Sequence, residues 1–138
     1  VELEDAADHL RRFTQAVLCV VDDDGYPHVT RVVQHFDGAT CRVSLTDGRV
    51  KTGHLRVRPR ATVHVPGGDP WHWVSVVADA ELSPVAQEPD GPVAGELLEV
   101  YEAIADEPHD DPAEFRATQV EDRRLVLRLT PRRVYGQL

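Results

Sequence analysis

Apolar residues recur at three- and four-residue steps at the start of the chain (Leu3, Ala6, Ala7, Leu10 and Phe13), which predicts a helix from residue 3 to about 14. The pattern then changes to short β-branched runs. AVLCVV at 16–21 reads as a strand, DDDGYP at 22–27 as a turn, HVTRVVQHF at 28–36 as a second strand, FDGA at 36–39 as a tight turn and TCRVSL at 40–45 as a third strand. These lengths suit an antiparallel meander over 16–45. Residues 49–57 break the alternation and fit a short helix, capped from among Thr46, Asp47 and Gly48 and stopped before Pro59.

Further on, RATVHVP at 60–66 predicts a strand, GGDP a loop, and WHWVSVVADAEL at 71–82 a long strand ended by Ser83 and Pro84. Helical spacing returns at 93–105, and a second short helix fits 112–120 with Asp110 or Asp111 as its cap. The segment 124–136 closes the chain as one bent strand or two short ones around Pro131. Local strand connections with few helical crossovers point to a mainly β chain with peripheral helices (α+β), an antiparallel barrel with the helices packed outside. No internal repeat or linker interrupts residues 1–138, so a single domain is expected.

Composition narrows the function. The net charge is −9, which excludes a general nucleic-acid binder with a broad basic surface. The charge is uneven, however. Between Gly48 and Gly68 there is no Asp or Glu, while Arg49, Lys51, Arg56, Arg58 and Arg60 all fall there, and the rest of the chain holds 10 basic against 24 acidic residues. Such an island suits a small anionic ligand, with an ordinary solvated helix face as the alternative. No apolar run is long enough to span a bilayer and the first residues are charged rather than signal-like, so no membrane partner and a cytoplasmic location are expected. Cys19 and Cys41 lie in strand-like runs and read as reduced core thiols. The seven histidines have no ligand spacing, so no metal is expected. No nucleophile–base pair stands out, and the catalytic residues stay unassigned.

The sharpest element is RVKT at 49–52, opening the short helix. A helix start offers free backbone N–H groups and partial positive charge, a natural seat for phosphate, and Arg49 and Lys51 add charged donors. Lys51 is also the only lysine, against 14 arginines; a chance survivor is the alternative.

Several segments in order carry a resemblance: DGYPHVT at 24–30, HFD at 35–37, VSLTDGRVKTGHLRVRPRAT at 43–62, the tryptophan strand from Trp71, AEL at 80–82 and VYG at 134–136. Together, over roughly residues 13–136, they resemble the flavin/deazaflavin oxidoreductases, B group, the F420-dependent enzymes of the pyridoxamine 5'-phosphate oxidase-like split β-barrel superfamily. The resemblance implies a split β-barrel, a homodimer with shared sites, and hydride transfer between the deazaflavin coenzyme F420 and a small conjugated substrate. An FMN-dependent enzyme and a non-catalytic coenzyme- or haem-binding protein are the alternatives.

By the same resemblance Arg49, Lys51 and Thr52 grip the coenzyme phosphate. Gly53 stands where relatives often have a basic residue, a loss that Arg56, Arg58 and Arg60 offset if they face the groove. Thr30, Val32 and Gln34 alternate along one strand and so share a face. The resemblance lays the coenzyme ring along that strand and the next, near Val43 and Ser44, with Thr30 and Ser44 at its pyrimidine edge; Arg31 stands where relatives often have Asn. It also brings Trp71 to the site from the other subunit. The plainer readings are solvent-facing strand residues for Thr30 and Gln34, and a barrel or dimer core for Trp71 and Trp73, which alternate.

Overall fold

The computed structural model describes residues 1–138. Helix α1 (Leu3–Arg12) is amphipathic and buries Ala6, His9 and Leu10. It stops two residues earlier than its apolar spacing predicts, because Gln34 captures its end. The Gln34 amide donates to the carbonyls of Leu10 and Phe13, both at 2.8 Å, from a fully buried position. These carbonyls have no partner further along the helix, so the side chain satisfies groups that would otherwise be buried without one.

Six strands follow the predicted order: β1 (Gln15–Val21), β2 (Pro27–Phe36), β3 (Cys41–Thr46), β4 (Arg60–Pro66), β5 (Trp73–Leu82) and β6 (Arg124–Gln137). They close an antiparallel barrel in the order β1-β2-β3-β6-β5-β4, with β4 pairing back onto β1. Helix α2 (Val50–Val57) carries the chain from β3 to β4, which are not neighbours, and α3 (Pro92–Ala105) and α4 (Pro112–Glu121) are inserted between β5 and β6. The molecule is thus a split-barrel type of fold, mainly β with peripheral helices. No helix is long and apolar enough to cross a membrane.

Alternation builds the interior. Leu18 and Val20, Phe36, Val43 and Leu45, Val63 and Val65, Val74 and Val76, and Leu125, Leu127 and Leu129 all point inward, and Leu10 and Leu55 from the helices join them. Cys41 belongs to this core, where burial pushes its thiol pKa up to about 12, and both cysteines are free. β6 is one strand. Its register with β5 slips between Val77 and Ala78, opposite Pro131 and Arg133, so the proline sits at a bulge where its missing N–H is tolerated.

Two local expectations change. None of Thr46, Asp47 and Gly48 caps α2: the N-cap is Arg49, and the Thr46 carbonyl instead accepts from the Thr52 hydroxyl at 2.8 Å. The long strand begins at Trp73 rather than Trp71, because Asp69 accepts from the N–H groups of Trp71 and His72 and holds residues 69–72 in a turn. Asp111 caps α4 as expected, accepting from the Glu114 N–H at 3.1 Å.

Helix α3 is fastened to the outside of the barrel by charge as well as by Leu97 packing on Val126. Arg42 of β3, buried, reaches Glu96 at 3.5 Å and Glu99 at 3.2 Å, while Arg128 of β6 pairs with Glu96 and with Glu81. The hydrogen bonds from Arg128 hold the Glu96 carboxyl below its ordinary value of 4.5, against the opposing effect of burial. A depressed folded-state pKa means that the stabilisation is present above pH 4.5 and is lost as pH falls through the folded value. The melting temperature of the protein should therefore fall more steeply below pH 4.5 than that of a Glu96→Gln variant, measured by thermal denaturation across pH.

Candidate functional site

A cavity of about 810 Å³ lies between the outer face of β2, β3 and β6, the start of α2, and the α3–α4 pair. Its floor is built by the outward-facing alternation of the strands: Arg31 and Val33 on β2, Ser44 and Thr46 on β3, and Arg124 on β6. Thr46 pairs across the ladder with Arg124, and the Arg124 guanidinium donates to the Ser44 hydroxyl at 3.3 Å. Arg49 and Lys51 enter from the start of α2, and the opposite wall mixes apolar and aromatic side chains (Leu97, Val100, Tyr101, Ile104 and Phe115) with polar ones, among them the carboxylates Glu114 and Asp122.

Charge decides what this cavity accepts. Arg31, Arg49, Lys51 and Arg124 all line it, and none of the four forms an ion pair with a carboxylate. Elsewhere Arg11, Arg42, Arg56, Arg58, Arg123, Arg128 and Arg132 are paired, and Arg12, Arg60, Arg116 and Arg133 are not. Burial holds the Lys51 pKa below its ordinary value, and the repulsion of Arg49 and Arg124 lowers it further. Three mutually repelling cations form an unfavourable cluster that an anion relieves. The backbone N–H groups of Val50, Lys51 and Thr52, in the first turn of α2, have no partner within the protein and add neutral donors to the same place.

The structure sorts the residues singled out in the sequence. Ser44, Arg49, Lys51 and Val32 line the cavity, although Val32 is buried and its side chain faces inward. Thr30, Gln34 and Val43 do share the orientation that alternation predicts, but that face is the barrel interior. Gln34 is committed to α1, Val43 to the core, and the Thr30 hydroxyl is buried without a partner. Thr52 is buried and spends its side chain on Thr46, leaving only its N–H toward the helix mouth.

Arg56 is held by Asp47 at 2.6 Å, Arg58 by Asp23 and the Val21 carbonyl, and Arg60 lines no part of the cavity, so none of these three replaces the charge absent at Gly53. Trp71, 69% exposed, lies in the β4–β5 turn outside the cavity of its own chain. Trp73 packs instead on His64 and Tyr135.

Sequence reading noted Arg31 only as a departure beside the ring and Thr46 only as a possible cap, and did not single out Val33, Arg124 or the aromatic group Tyr101, His109 and Phe115. For β2 the sequence offered no clear signal: the outward odd-numbered positions hold Val29 and Val33 beside Arg31, while the polar Thr30 and Gln34 fall on the inward, even-numbered face.

What the cavity can hold follows from these parts. Four unpaired cations and three free N–H groups on the strand floor and at the start of α2 outnumber the two carboxylates of the far wall, Glu114 and Asp122, and match a phosphate with further anionic groups. A volume within the range of roughly 300–1,000 Å³ typical of small-molecule sites, with aromatic and aliphatic side chains on that wall, matches a planar ring. A phosphate-bearing aromatic coenzyme therefore fits the residues present.

Comparison with known proteins agrees with the fold. The pyridoxamine 5'-phosphate oxidase family profile matches residues 3–138. Among solved structures the chain is similar to an F420 reductase, with TM-score 0.70 at 23% identity over 91% of this chain and 92% of that one. It is similar to a conserved hypothetical protein from Mycobacterium tuberculosis, with TM-score 0.76 at 22% identity over 99% and 84% of the two chains. It is also similar to an FAD-binding protein from Mesorhizobium loti, with TM-score 0.64 at 19% identity over 99% and 92%. At these identities the likeness is one of fold.

Proposed function

Since the chain belongs to the pyridoxamine 5'-phosphate oxidase family, we propose that its cavity binds a flavin-type coenzyme, F420 ahead of FMN, and that the protein transfers a hydride between it and a small conjugated substrate. The observation that carries this proposal is the cluster of Lys51 with Arg49 and Arg124, joined in the cavity lining by Arg31, none of them ion-paired although Glu114 and Asp122 line the far wall. FMN brings a single phosphate. F420 carries tail carboxylates besides its phosphate, so it uses more of the four charges, and this is why it ranks first.

When bound, the coenzyme supplies the hydride chemistry, and the protein supplies position and environment. Arg49, Lys51 and the three N–H groups of α2 hold the phosphate. Arg124, by donating to the Ser44 oxygen, leaves the Ser44 hydroxyl proton free to donate to a ring edge lying on the strand floor. Leu97, Tyr101, Ile104 and Phe115 exclude water from the opposite side.

In this proposal the protein works in the cytoplasm as a homodimer of single-domain subunits. Exposed apolar residues on the outer barrel surface, Val21, Val29 and Tyr135, support self-association, and Trp71, more exposed than any of them, is available to reach the partner's cavity. Trp71→Ala should therefore weaken coenzyme binding roughly 2- to 12-fold, the worth of one aromatic contact, read by fluorescence titration. If Trp71 serves only its own turn, the affinity will not change.

Titration of the purified protein with F420, FMN and haem tests the assignment. Binding of F420 tighter than FMN is the expected result. Tight FMN binding without F420 binding reverses the ranking, and a Soret band that depends on His109 makes the cavity a haem site.

A further inference from the structure

We propose that the aromatic end of the cavity is the substrate subsite, and that His109 there donates a hydrogen bond from Nε2 to the carbonyl oxygen of a planar unsaturated ketone or quinone. This rests on the coenzyme reading above and adds the chemistry of the group that meets the substrate. The cavity is polarised: its unpaired cations stand on the strand floor and the start of α2, whereas the wall formed by α3, α4 and their connection carries none of them and holds the carboxylates Glu114 and Asp122 instead. A planar ring lying on the strand floor is covered on one side by the sheet, so a reaction partner reaches it from the α3–α4 side. That side presents Tyr101, His109 and Phe115, whose ring centroids lie 5.1, 5.1 and 5.2 Å apart in the three pairings.

His109 is fixed from three directions. Its backbone N–H donates to Glu102 of α3 at 2.8 Å, its ring packs against Tyr101 and Phe115, and its Nδ1 lies 2.9 Å from the backbone N–H of Asp111. A backbone N–H can only donate, so Nδ1 is the acceptor and the proton of the neutral ring sits on Nε2. Nε2 has no partner in the protein and is not among the buried unpartnered atoms, so it is an accessible donor on a residue that lines the cavity. Nothing in the fold uses this donor.

A neutral imidazole in this state donates a hydrogen bond without giving up its proton. It polarises a C=O group and stabilises the charge that grows on the oxygen as hydride from the reduced coenzyme reaches the β-carbon and the C=C electron pair shifts toward oxygen; the enolate then takes its proton from solvent. Substrates that place a carbonyl oxygen against an aromatic wall are favoured, and hydrocarbons of the same shape are not.

The test uses the full chain with cyclohex-2-enone as probe. Ring nitrogen correlations in the ¹⁵N-labelled protein should show His109 protonated on Nε2, and cyclohex-2-enone added to the complex with oxidised F420 should move that Nε2–H signal alone among the seven histidines. His109→Phe keeps the ring packing and the cationic end. It loses the acceptor of the Asp111 N–H and so should melt slightly lower, but it should stay folded and retain F420 binding while kcat for cyclohex-2-enone reduction falls at least tenfold, a loss in kcat rather than KM.

An Nδ1–H tautomer, an unmoved signal, or unchanged kcat in His109→Phe with F420 still bound overturns this inference and leaves the coenzyme reading standing. Failure of the unaltered protein to bind F420 or FMN overturns both.

Discussion

Replacing Lys51 by Ala is expected to raise the dissociation constant for F420 roughly 10- to 150-fold, the equivalent of a charged hydrogen bond worth about 1.5–3 kcal/mol. Lys51 is half-buried, lines the cavity, and stands beside Arg49 and Arg124 with no carboxylate to neutralise it. Removing it deletes a proposed donor to the phosphate and also relieves the repulsion it shares with the two arginines. The free protein should thus be no less stable, and the loss should appear in binding alone. Lys51→Arg keeps the charge and should recover most of the affinity. Arg133→Ala, at an exposed cation outside the cavity, is the control and should change nothing. Isothermal titration or fluorescence quenching at two salt concentrations reads all three variants, and the wild-type affinity should fall with salt more steeply than that of Lys51→Ala.

Gly136→Ala is the substitution expected to damage the fold most for its size. Gly136 pairs with Val74 in the β5–β6 ladder, and a Cβ there would run into the Trp73 carbonyl oxygen and lie 2.9 Å from the Val74 Cα. Both obstacles are backbone, so no rotamer change makes room, and the strands must separate at the mouth of a closed barrel. A cost of about 2–3 kcal/mol is expected, which for a chain of this length lowers the melting temperature on the order of 5–10 °C. Gly53→Ala provides the opposite sign. A Cβ at Gly53 meets nothing within 4 Å in the middle of α2, so this variant should gain roughly 0.5–1 kcal/mol from reduced backbone entropy. Thermal denaturation of the two variants side by side checks both.

The barrel was legible in the sequence because alternation and turn chemistry are local. The runs at 16–21, 28–36, 40–45 and 60–66 match β1 to β4 within a residue at each end, and Pro131 marked the bulge in β6. Which face of a strand looks inward is not local. Thr30, Val32 and Gln34 look like a polar, ligand-facing set in isolation. Their side chains point inward because the barrel closes through β4 and because Gln34 has the ends of α1 to satisfy. A shift of one residue moves the candidate ring contacts to Arg31 and Val33.

That Arg49 and Lys51 line the cavity was legible because a charged helix start is a short-range signal. Arg124 reaches the same cavity from a strand that follows two intervening helices, and only the β3–β6 pairing brings it beside Thr46. Arg56 shows the reverse: its place in a basic run suggested a ligand contact, but Asp47, which also binds Arg123, takes it up. Net charge along a sequence does not reveal which charges are already neutralised.

The lone lysine permits a direct test of the anion site. Reductive methylation retains the charge and places an NMR-visible dimethyl group on Lys51, the only lysine of the chain. In the free protein that amine should titrate below the ordinary lysine range, because burial, Arg49 and Arg124 oppose its charge. Addition of F420 should raise its pKa as phosphate enters the cluster. A signal that titrates like an exposed lysine, and that neither F420 nor FMN displaces, would contradict an anion-seeking cavity at the start of α2.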